Sequence, residues 1–597
     1  MQKYLKLLIL LAFSLSVNAQ QPFRLKLIWP TTNQAQLVQK NVDYNSFITD
    51  SLVFAATIKS IVLQCNELSF LTASISSIQL IKDTALVNIS LGNSYKWVKL
   101  TKGNVPLDVL SAAGFREQQF IDKTFNPKQF TKTAERILQF LENNGYPFAS
   151  IKLDSVEADS VGIAATMNLQ MNEYIVFDTI EVLGEANIKK WFLYKYLGIK
   201  PSSNYNENTF AQINSRLSQL SFLRTTRPSA TYFFASKAMP IVYLENRQAS
   251  SIDGIVGFAP NTQSGGASAG RLLLTGEANL RLQNIAGTGK SFDLNYRSFL
   301  GNSQDLHLKF VFPYIFRTNI ALDYDLSLIK QDTSFLDVKN EIGIQYRFIG
   351  NDYFKVFYQV QSTTLITIDT NQLKASRSLP TSSDIRNNTY GVGFKITRYD
   401  YFLNPRSGFS ADLTSGIGIK NILKNPTIEQ LRFLNPDGSF ASLYDTIQLR
   451  SIQYRFQATA DYFIPLFQRA TLRVQASGGH IVAQNLFINE LFRIGGIRSL
   501  RGFDEQAIFA STFAIVNTEL RYILQQNSNV MLFWNGAFYQ NVIRQPVIID
   551  RPFGFGAGFN FETGAGIFSI FYAVGKEFAN PINLSRAKVH FGFVNYF

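Results

Sequence analysis

The feature that most constrains this chain is an alternation of apolar and polar residues that recurs through its second half. In the clearest stretches every second side chain is apolar and its neighbours are often charged. These stretches contain Ile320, Leu322, Tyr324, Leu326 and Leu328, and then Val338, Ile342, Ile344, Tyr346 and Phe348. A period of two predicts β-strands. The apolar face points to the core in a soluble sandwich and to lipid in an outer-membrane barrel, and the pattern alone does not choose between them.

About sixteen such runs follow one another over 248–597, an even number as in bacterial single-chain barrels. Roughly 350 residues leave about 22 for each strand and its connection, which is enough for a membrane-spanning strand of ~9–11 residues. Connections are long at 367–386, 421–447 and 482–510 and short between most other runs. These runs favour a sixteen-stranded antiparallel transmembrane β-barrel.

Composition excludes several other classes of protein. Apolar residues make up 46% of the 597 residues and charged residues 17%. After residue 20 no run of 18 uncharged apolar residues occurs, which excludes a helical membrane protein but not a barrel of alternating strands. The net charge of +14 suits anionic lipid headgroups, and with no clustered basic helix we expect no nucleic-acid partner.

The N-terminus predicts export. Residues 1–19 carry Lys3 and Lys6, then an apolar stretch, then a small residue, Ala19, before Gln20, which is the pattern of a secretory signal peptide. Cys65 is the only cysteine, so intrachain disulfides, cysteine-rich metal sites and a redox pair are excluded. A small buried side chain is the expected role of this cysteine.

Residues 23–246 contain an internal repeat of about 75 residues. Leu68-Ser69-Phe70-Leu71 recurs as Leu220-Ser221-Phe222-Leu223, and the midpoint falls on Asn144-Gly145-Tyr146-Pro147. We divide this segment into units at 23–94, 95–171 and 172–246. In the second unit Asn126 is expected to cap a helix that has Pro127 at its first position. The order of elements is strand, helix, helix, strand, strand, which is clearest in the third unit.

An array of such units, with an asparagine-glycine-tyrosine step from the second helix into the following strand, resembles POTRA domains. The second and third units fit this resemblance well, and the first fits from about Glu67 onward. A generic α/β domain is the alternative that these residues leave open. The resemblance implies α+β units in the periplasm ahead of the barrel.

The long connection before the twelfth run carries the most informative motif. Residues 491–503 read LFRIGGIRSLRGF, and 517–521 on the next run read NTELR. This pair of segments is similar to the signature of the BamA/TamA family of outer-membrane assembly and translocation proteins. In that family the arginine-glycine-aromatic tip of a loop folds back into the lumen of the barrel.

The resemblance implies a loop-lock motif whose residues are Gly495, Gly496, Arg501, Gly502, Phe503, Glu519 and Asn535. A guanidinium in a dehydrated lumen is costly unless a carboxylate receives it, and Glu519 is the candidate partner of Arg501. Gly502 permits a sharp turn and Phe503 packs the tip against the wall. Asn535 stands where the family usually offers a second acid, so we expect one ionic and one neutral partner for Arg501.

A lateral seam is expected between the first and last strands. Gly254 and Gly257 lie in the first run and Gly592 in the last, and glycine inside a strand weakens its pairing. The terminal run 589–597 resembles the assembly signal of outer-membrane barrels and ends on Phe597, although Asn595 stands where that signal usually has an aromatic residue.

No catalytic motif is found. The only histidines are His307, His480 and His590, and no pair of them has metal-ligand spacing. The glycine-rich run from Gly554 to Gly566 has phenylalanines between its glycines and reads as barrel strands near a closing turn. We therefore expect no enzyme activity, no metal and no cofactor.

The resemblance implies insertion or translocation of proteins at the bacterial outer membrane. The expected partners are unfolded outer-membrane or secreted clients, outer-membrane lipids, and periplasmic or lipoprotein accessory subunits. One alternative is a two-partner secretion transporter that exports a single soluble client, although no proline-rich linker or plug helix precedes the first unit. A passive porin is a further alternative, and it gives no role to residues 23–246.

Overall fold

The structure is a computed structural model that describes residues 23–596, apart from short segments at 160–161, 261–271, 299–302, 402–403, 435–438, 497–498, 504–505, 545, 564–565, 579–581 and 583–586. The predicted leader at 1–19 and Phe597 lie outside the described residues. The chain divides into two compact units. The first comprises Met1–Phe177, Ser202–Asn208 and Phe233–Ala238, and the second comprises Asp178–Pro201, Thr209–Tyr232 and Met239–Phe597.

The first α/β module is a four-stranded sheet with two helices. Its elements are β1 (Phe23–Ile28), α1 (Asn33–Asn41), β2 (Phe47–Ile48), α2 (Ser51–Glu67), β3 (Ser74–Ile81) and β4 (Thr84–Ser90). The strand order is β2-β1-β4-β3, with β1 and β4 parallel. Asp50 caps α2 by accepting the backbone N–H groups of Leu52 and Val53 at 2.8 Å. Cys65 is buried in the core, where desolvation raises the pKa of its thiol to about 11.

The second module repeats this topology. Its elements are β5 (Lys96–Thr101), α3 (Leu107–Ala113), β6 (Lys123–Thr124), α4 (Pro127–Glu142), β7 (Ser150–Ala158) and β8 (Gly162–Gln170), in the order β6-β5-β8-β7. The helix predicted after Asn126 is confirmed, because the Asn126 side chain accepts the Gln129 N–H at 3.3 Å and Pro127 is the first helical residue. Ile137 and Leu141 of this helix are buried against the sheet.

The third module has the same order of main elements. They are β9 (Val176–Phe177), β10 (Glu181–Leu183), α5 (Lys190–Leu197), α6 (Glu207–Ala211), α7 (Ile213–Ser218), β11 (Leu223–Phe234) and β12 (Lys237–Asn246). Gly198 ends α5 in the left-handed conformation at φ 72°. The strand β11 begins at Leu223, although the polar residues of 224–230 obscure its alternation in the sequence.

After residue 247 the described chain forms one large antiparallel sheet of sixteen strands of nine or more residues. They are β13 (Ser251–Pro260), β14 (Leu272–Ile285), β15 (Lys290–Ser298), β16 (Gln304–Phe312), β17 (Ile320–Gln331), β18 (Phe335–Arg347), β19 (Tyr353–Leu365), β20 (Ile385–Tyr399), β21 (Gly408–Ile422), β24 (Arg450–Phe467), β25 (Ala470–Val482), β28 (Thr512–Gln525), β29 (Ser528–Asn541), β31 (Phe553–Thr563), β32 (Gly566–Lys576) and β33 (Lys588–Tyr596). Each pairs with the next in this order.

Short elements decorate the connections of this sheet. They are α8 (Thr370–Ser376), α9 (Pro426–Glu429), the hairpin β22 (Arg432–Leu434) with β23 (Phe440–Ser442), the hairpin β26 (Phe492–Ile494) with β27 (Ile508–Ala510), and β30 (Ile548–Asp550) beside β29. Three-residue or four-residue 3-10 turns stand at Glu117–Phe120, Ile315–Arg317 and Ile488–Glu490. Among the described residues no helix has the length and apolar character needed to cross a membrane.

The two faces of the large sheet differ in a way that the sequence left open. Apolar side chains stand on the exposed face, where Ile344 is 58% and Leu532 is 62% exposed. Charged side chains stand on the other face, where Asp323, Lys420 and Glu519 are each 0% exposed. This distribution is the reverse of a soluble sandwich, whose charged side chains face water. We call the second surface the charged face.

The first and last strands of the sheet pair over a short length. Ser251 lies opposite Tyr596 and Ile252 opposite Asn595, and these are the two positions paired among the described residues. All other neighbouring long strands pair at seven to fifteen positions. On its other side β33 is held by an aromatic ladder, in which Phe561, Phe568 and Phe593 follow one another at ring distances of 5.2 and 4.4 Å.

Candidate functional site

The connection between β25 and β28, which carries the predicted motif, folds back onto the charged face. Gln506 donates to Asp305 on β16 at 3.3 Å, and Arg493 donates to Gln331 at the end of β17 at 3.1 Å. Arg501 donates to Glu519 on β28 at 2.5 Å. Because β16 and β28 are far apart in the strand order, the loop spans the charged face from one part of the sheet to another.

A glycine turn begins the descent of this loop. Gly495 and Gly496 have φ angles of 115° and 94°, which side chains disfavour. The Ser499 hydroxyl accepts the Gly495 N–H at 2.8 Å and donates to the Gly495 carbonyl at 2.9 Å. The Ser499 carbonyl in turn accepts the side-chain amide of Asn517 at 3.2 Å. The turn is therefore tied both to itself and to β28.

Glu519 is the centre of an arginine cluster formed by Arg473, Arg501 and Arg521. Its carboxylate accepts Arg501 at 2.5 Å and Arg473 at 3.0 Å on one oxygen, and the Arg521 Nε at 2.8 Å on the other. Arg473 also donates to Asp461 at 2.7 Å. One fully buried carboxylate thus receives three guanidinium groups, and charge-assisted bonds of this kind are the strong ones.

The Arg501 guanidinium also lies over two aromatic rings. Its central carbon is 4.6 Å from the ring of Phe533 and 5.5 Å from that of Phe571. Cation–π contacts of a desolvated arginine add to its hydrogen bonds. Asn535, the expected neutral partner, is fully buried on β29 opposite Asn517.

Gly502 and Phe503 bring the loop tip into contact with β32. Gly502 has φ 92°, and a Cβ there would stand 2.6 Å from the backbone N of Gly575. A Cβ on Gly575 would stand 2.9 Å from the Phe503 ring, and one on Gly554 would collide with the Arg501 carbonyl. Glycines on both the loop and the wall therefore permit this approach, and Phe503 is buried in the cluster beside it.

A second buried ion pair holds the start of the same loop. Lys420 on β21 donates to Glu490 at 2.5 Å and to the Asn485 carbonyl at 2.8 Å. Gln453 donates to the other Glu490 oxygen at 2.8 Å. Both charged side chains are almost completely buried. Glu490 therefore holds the start of the loop, in addition to the contacts that Arg493, Arg501 and Gln506 make further along it.

Sequence reasoning missed several of these residues. Arg521 shares the face of Glu519 because it lies two residues along the strand, and this signal was available. Arg473 is directly opposite Glu519, which only the strand register reveals. The sequence pattern around Gly554 is that of an ordinary strand, and nothing in the pattern marks Gly575, because the role of both glycines depends on what approaches them.

The three predicted seam glycines lie away from the paired positions of the first and last strands. Gly254 and Gly257 pair with Ala278 and Thr275 of β14, and Gly592 pairs with Ser569 of β32. Phe597, the fourth predicted seam residue, is not among the described residues.

A cavity of about 920 Å³ lies against the charged face, with Phe192 and Tyr196 of α5 in its lining. Acidic and basic side chains both contribute to its wall: Asp293, Asp323, Asp325, Glu341, Asp412, Asp461, Lys309, Arg347, Lys355, Lys395 and Arg455. The mixture of signs gives the cavity a polar wall without a single dominant charge.

Several solved structures are similar to this chain. CdiB from Escherichia coli matches with a TM-score of 0.52 and 13% identity, covering 96% of this chain and 100% of that one. CdiB from Acinetobacter baumannii has a TM-score of 0.48 and 13% identity over 84% and 90% of the two chains. BamA from Haemophilus ducreyi lacking POTRA domains 1–3 has a TM-score of 0.39 and 14% identity over 84% and 99%. The first likeness shows the fold. A search of curated proteins found no match.

The fold and the site together define a class of protein in which α/β modules precede a large antiparallel sheet with a loop folded onto its charged face. Residues 284–595, more than half of the chain, match the Omp85 superfamily domain. The chain belongs to the Omp85 superfamily, which confirms the resemblance seen in its sequence. Members of this family are transporters or assembly factors of the outer membrane.

Proposed function

We propose that this protein inserts or translocates other proteins at the bacterial outer membrane, in the manner of the BamA/TamA type. The modules receive unfolded clients in the periplasm, and the barrel passes them through a lateral seam. The observation that carries this proposal is the short pairing of β13 with β33, at two positions among the described residues. A sheet intended only as a pore gains nothing from such a weak junction.

The large sheet is proposed to be a sixteen-stranded transmembrane β-barrel over 248–597. Its exposed apolar face suits lipid, and its charged face suits a water-filled lumen. The cavity of about 920 Å³ is then part of that lumen. We expect the mature protein to partition with outer membranes and to migrate differently on gels before and after heating.

The modules at 23–94, 95–171 and 172–246 are proposed to be periplasmic POTRA domains. Each sheet ends in a strand with one neighbour: β3 in the first, β7 in the second and β11 in the third. Such an edge offers unpaired backbone groups, to which an extended client can add as a further strand.

The loop-lock motif is proposed to hold the long loop inside the lumen. Arg501 and Glu519 carry this role, Gly502 and Phe503 let the tip reach β32, and Asn535 contributes to the polar wall behind them. A docked loop keeps the lumen narrow while the seam is closed.

The seam is tested by locking it. The register assigns two cysteine pairs, Ser251→Cys with Tyr596→Cys and Ile252→Cys with Asn595→Cys, in a Cys65→Ser background. Residues opposite one another in an antiparallel pair have Cα atoms ~4.5–5.5 Å apart, within the range that a disulfide needs. We expect the oxidised pairs to stop client assembly or export and reduction to restore it.

A matched control is Ile344→Cys with Val356→Cys, which are opposite one another on β18 and β19. This disulfide should form without affecting activity. If the seam pairs crosslink fully and the oxidised protein is as active as the protein with its disulfides reduced, clients do not use the seam. A route through the lumen alone then replaces this proposal.

Depletion distinguishes the assembly factor from the two-partner secretion transporter. Loss of many outer-membrane barrels from the depleted cell supports general assembly. Loss of one exported protein, with the barrels unchanged, supports dedicated secretion. Quantitative proteomics of outer membranes and culture medium measures both outcomes in the same cells.

A further inference from the structure

The third module is linked to the arginine cluster through the turn between β20 and β21. On one side of this turn, Ser218 at the end of α7 donates to the Asp400 carbonyl at 2.8 Å. Gln219 donates to the Tyr399 carbonyl at 3.4 Å. Arg247, just after β12, lies 5.3 Å from the ring of Tyr401. The position of the turn therefore depends on the module.

The turn itself is internally braced. One oxygen of the Asp400 carboxylate accepts the backbone N–H groups of Arg406 at 2.9 Å and Ser407 at 3.2 Å. This arrangement ties the two ends of the turn together, as Asx-type bonds do. A displacement of residue 400 is thereby carried to the far end of the turn.

Two routes run from this turn to the arginine cluster. In the first, the Tyr399 ring meets Phe463 edge-on at 5.3 Å. Phe463 is buried, and it lies beneath two members of the cluster, Arg521 at 5.4 Å and Arg473 at 5.6 Å. Phe463 is therefore a shared platform that contacts Tyr399 and lies near both guanidinium groups.

The second route runs through Asn404, a buried residue of the same turn. Its side-chain oxygen accepts Asn529 at 3.2 Å and Arg521 at 3.5 Å, and its amide donates to the Gln526 carbonyl at 3.2 Å. Arg521 then donates to Glu519, which holds Arg501. Both routes converge on the same carboxylate.

We propose that Tyr399 and Asn404 are positioning residues that relay the position of the third module to Glu519, so that the module regulates how firmly the loop tip is held. This inference rests on the proposed role of the loop-lock motif. Coupling of this kind requires an element with two states that both sites bias, and here the element is the loop, docked or released. Movement of α7 when a client binds would shift Phe463 and Arg521 and favour release.

The test measures loop docking directly. Ser499→Cys in the Cys65→Ser background places a thiol on the loop, in place of the hydroxyl that braces the Gly495 turn, at a half-buried position whose carbonyl is bonded to β28, and every variant is compared with this parent. The rate of its reaction with a membrane-impermeant maleimide, measured on the purified full-length protein, reports release. Arg501→Ala is the positive control, and heat-dependent gel migration verifies that each variant has folded.

We expect Tyr399→Leu to raise the labelling rate about three- to tenfold, the effect of losing one aromatic pair. Tyr399→Phe keeps the ring and should label at the parent rate. Asn404→Ala should raise the rate about two- to fivefold through loss of its hydrogen bonds. Tyr353→Leu, the same change on the neighbouring strand β19, should have no effect.

The contribution of the third module is tested by the double variant Ser218→Ala/Gln219→Ala, which removes both side-chain donors to the turn. We expect a rise of about twofold that disappears when Tyr399→Leu is already present, since coupled residues are not additive. Labelling that rises in Arg501→Ala but is unchanged in Tyr399→Leu and Asn404→Ala overturns the relay and leaves the proposed function intact. Fully additive effects of the module and turn variants also overturn it. If the labelling rate is unchanged in Arg501→Ala, the proposed role of the loop-lock motif itself is wrong.

Discussion

Two regions of the same sheet are held together in opposite ways. At the arginine cluster one buried carboxylate receives three guanidinium groups, and two aromatic rings flank Arg501. At the junction of β13 and β33 the described backbone pairs at two positions. The strongest contacts therefore attach a loop to the wall, while the ends of the sheet meet over a short length. A protein that had only to remain closed would distribute its contacts the other way.

Glu519→Gln has the largest expected effect on this difference, because it weakens the firmly held region, the arginine cluster. The change neutralises the carboxylate that Arg473, Arg501 and Arg521 share among the described residues, and of the three guanidinium groups Arg473 keeps its ion pair with Asp461. Removing one partner from a buried ion pair costs about 3–5 kcal/mol. We expect loop release and a lower midpoint in heat-dependent gel migration. The control Asp412→Asn breaks a partly exposed pair with Lys395 and should cost less than about 1 kcal/mol.

Hydrogen exchange sharpens the comparison at the backbone. We expect amides of 251–260 and 588–596 to exchange about a hundredfold faster than those of 512–525, a difference of ~2.7 kcal/mol in local opening. The reason is that β28 pairs over its length on both sides, whereas β13 and β33 each lack most of one neighbour among the described residues. Mass spectrometry of the protein in detergent measures this. Equal protection of the two regions would show that the junction is as firm as the rest.

Arg501→Ala tests one arm of the cluster. Glu519 keeps Arg473 and Arg521, so we expect a smaller loss than for Glu519→Gln, about 1.5–3 kcal/mol. Arg501→Lys should recover only part of it, because an ammonium lacks the planar group that lies over Phe533 and Phe571. Thiol labelling at residue 499 and client assembly measure the two consequences. Full client assembly by a variant whose loop is released would show that loop docking is not needed for activity.

The smallest expected effect concerns the backbone contact at the tip. Gly502→Ala places a Cβ 2.6 Å from the Gly575 backbone and should cost about 1–3 kcal/mol of loop docking. Gly350→Ala is the matched control, because Gly350 also has a positive φ, 78°, but open space where its Cβ would lie. The control variant measures the cost of placing alanine in this backbone conformation alone. A contact between the loop tip and Gly575 is therefore indicated only if Gly502→Ala releases the loop more than Gly350→Ala does.

Local signals predicted the secondary structure well where the determinants are adjacent in sequence. Asn126 and Pro127 predict the start of α4, and Gly198 predicts the end of α5, because caps and terminators act within a few residues. The period of two predicts the strands of the large sheet, since alternation reflects its two unlike faces. It could not identify the exposed face, because lipid and a protein core select the same apolar residues.

The remainder of the site depends on register and on loop path. Arg473 and Glu519 are opposite one another, and so are Phe463 and Arg473, through pairings that a slip of one residue would destroy. The approach of Gly502 to Gly575 requires a loop to cross to a strand about 70 residues later in the chain. The resemblance to a family signature predicts the pairing of Arg501 with Glu519 without knowledge of the register or the loop path. It says nothing about the residues around this pair.

The aromatic ladder at the end of the chain makes the two borders of the proposed seam unlike one another. Phe561, Phe568 and Phe593 stiffen the border formed by β33, whereas β13 carries Gly254 and Gly257 along its length. A strand arriving at an opened seam would therefore meet a border held by aromatic side chains on one side and a border that contains two glycines on the other. The aromatic border would set the alignment of the new strand. If the proposed seam opens to clients, we expect growth of a client sheet to begin from the C-terminal strand.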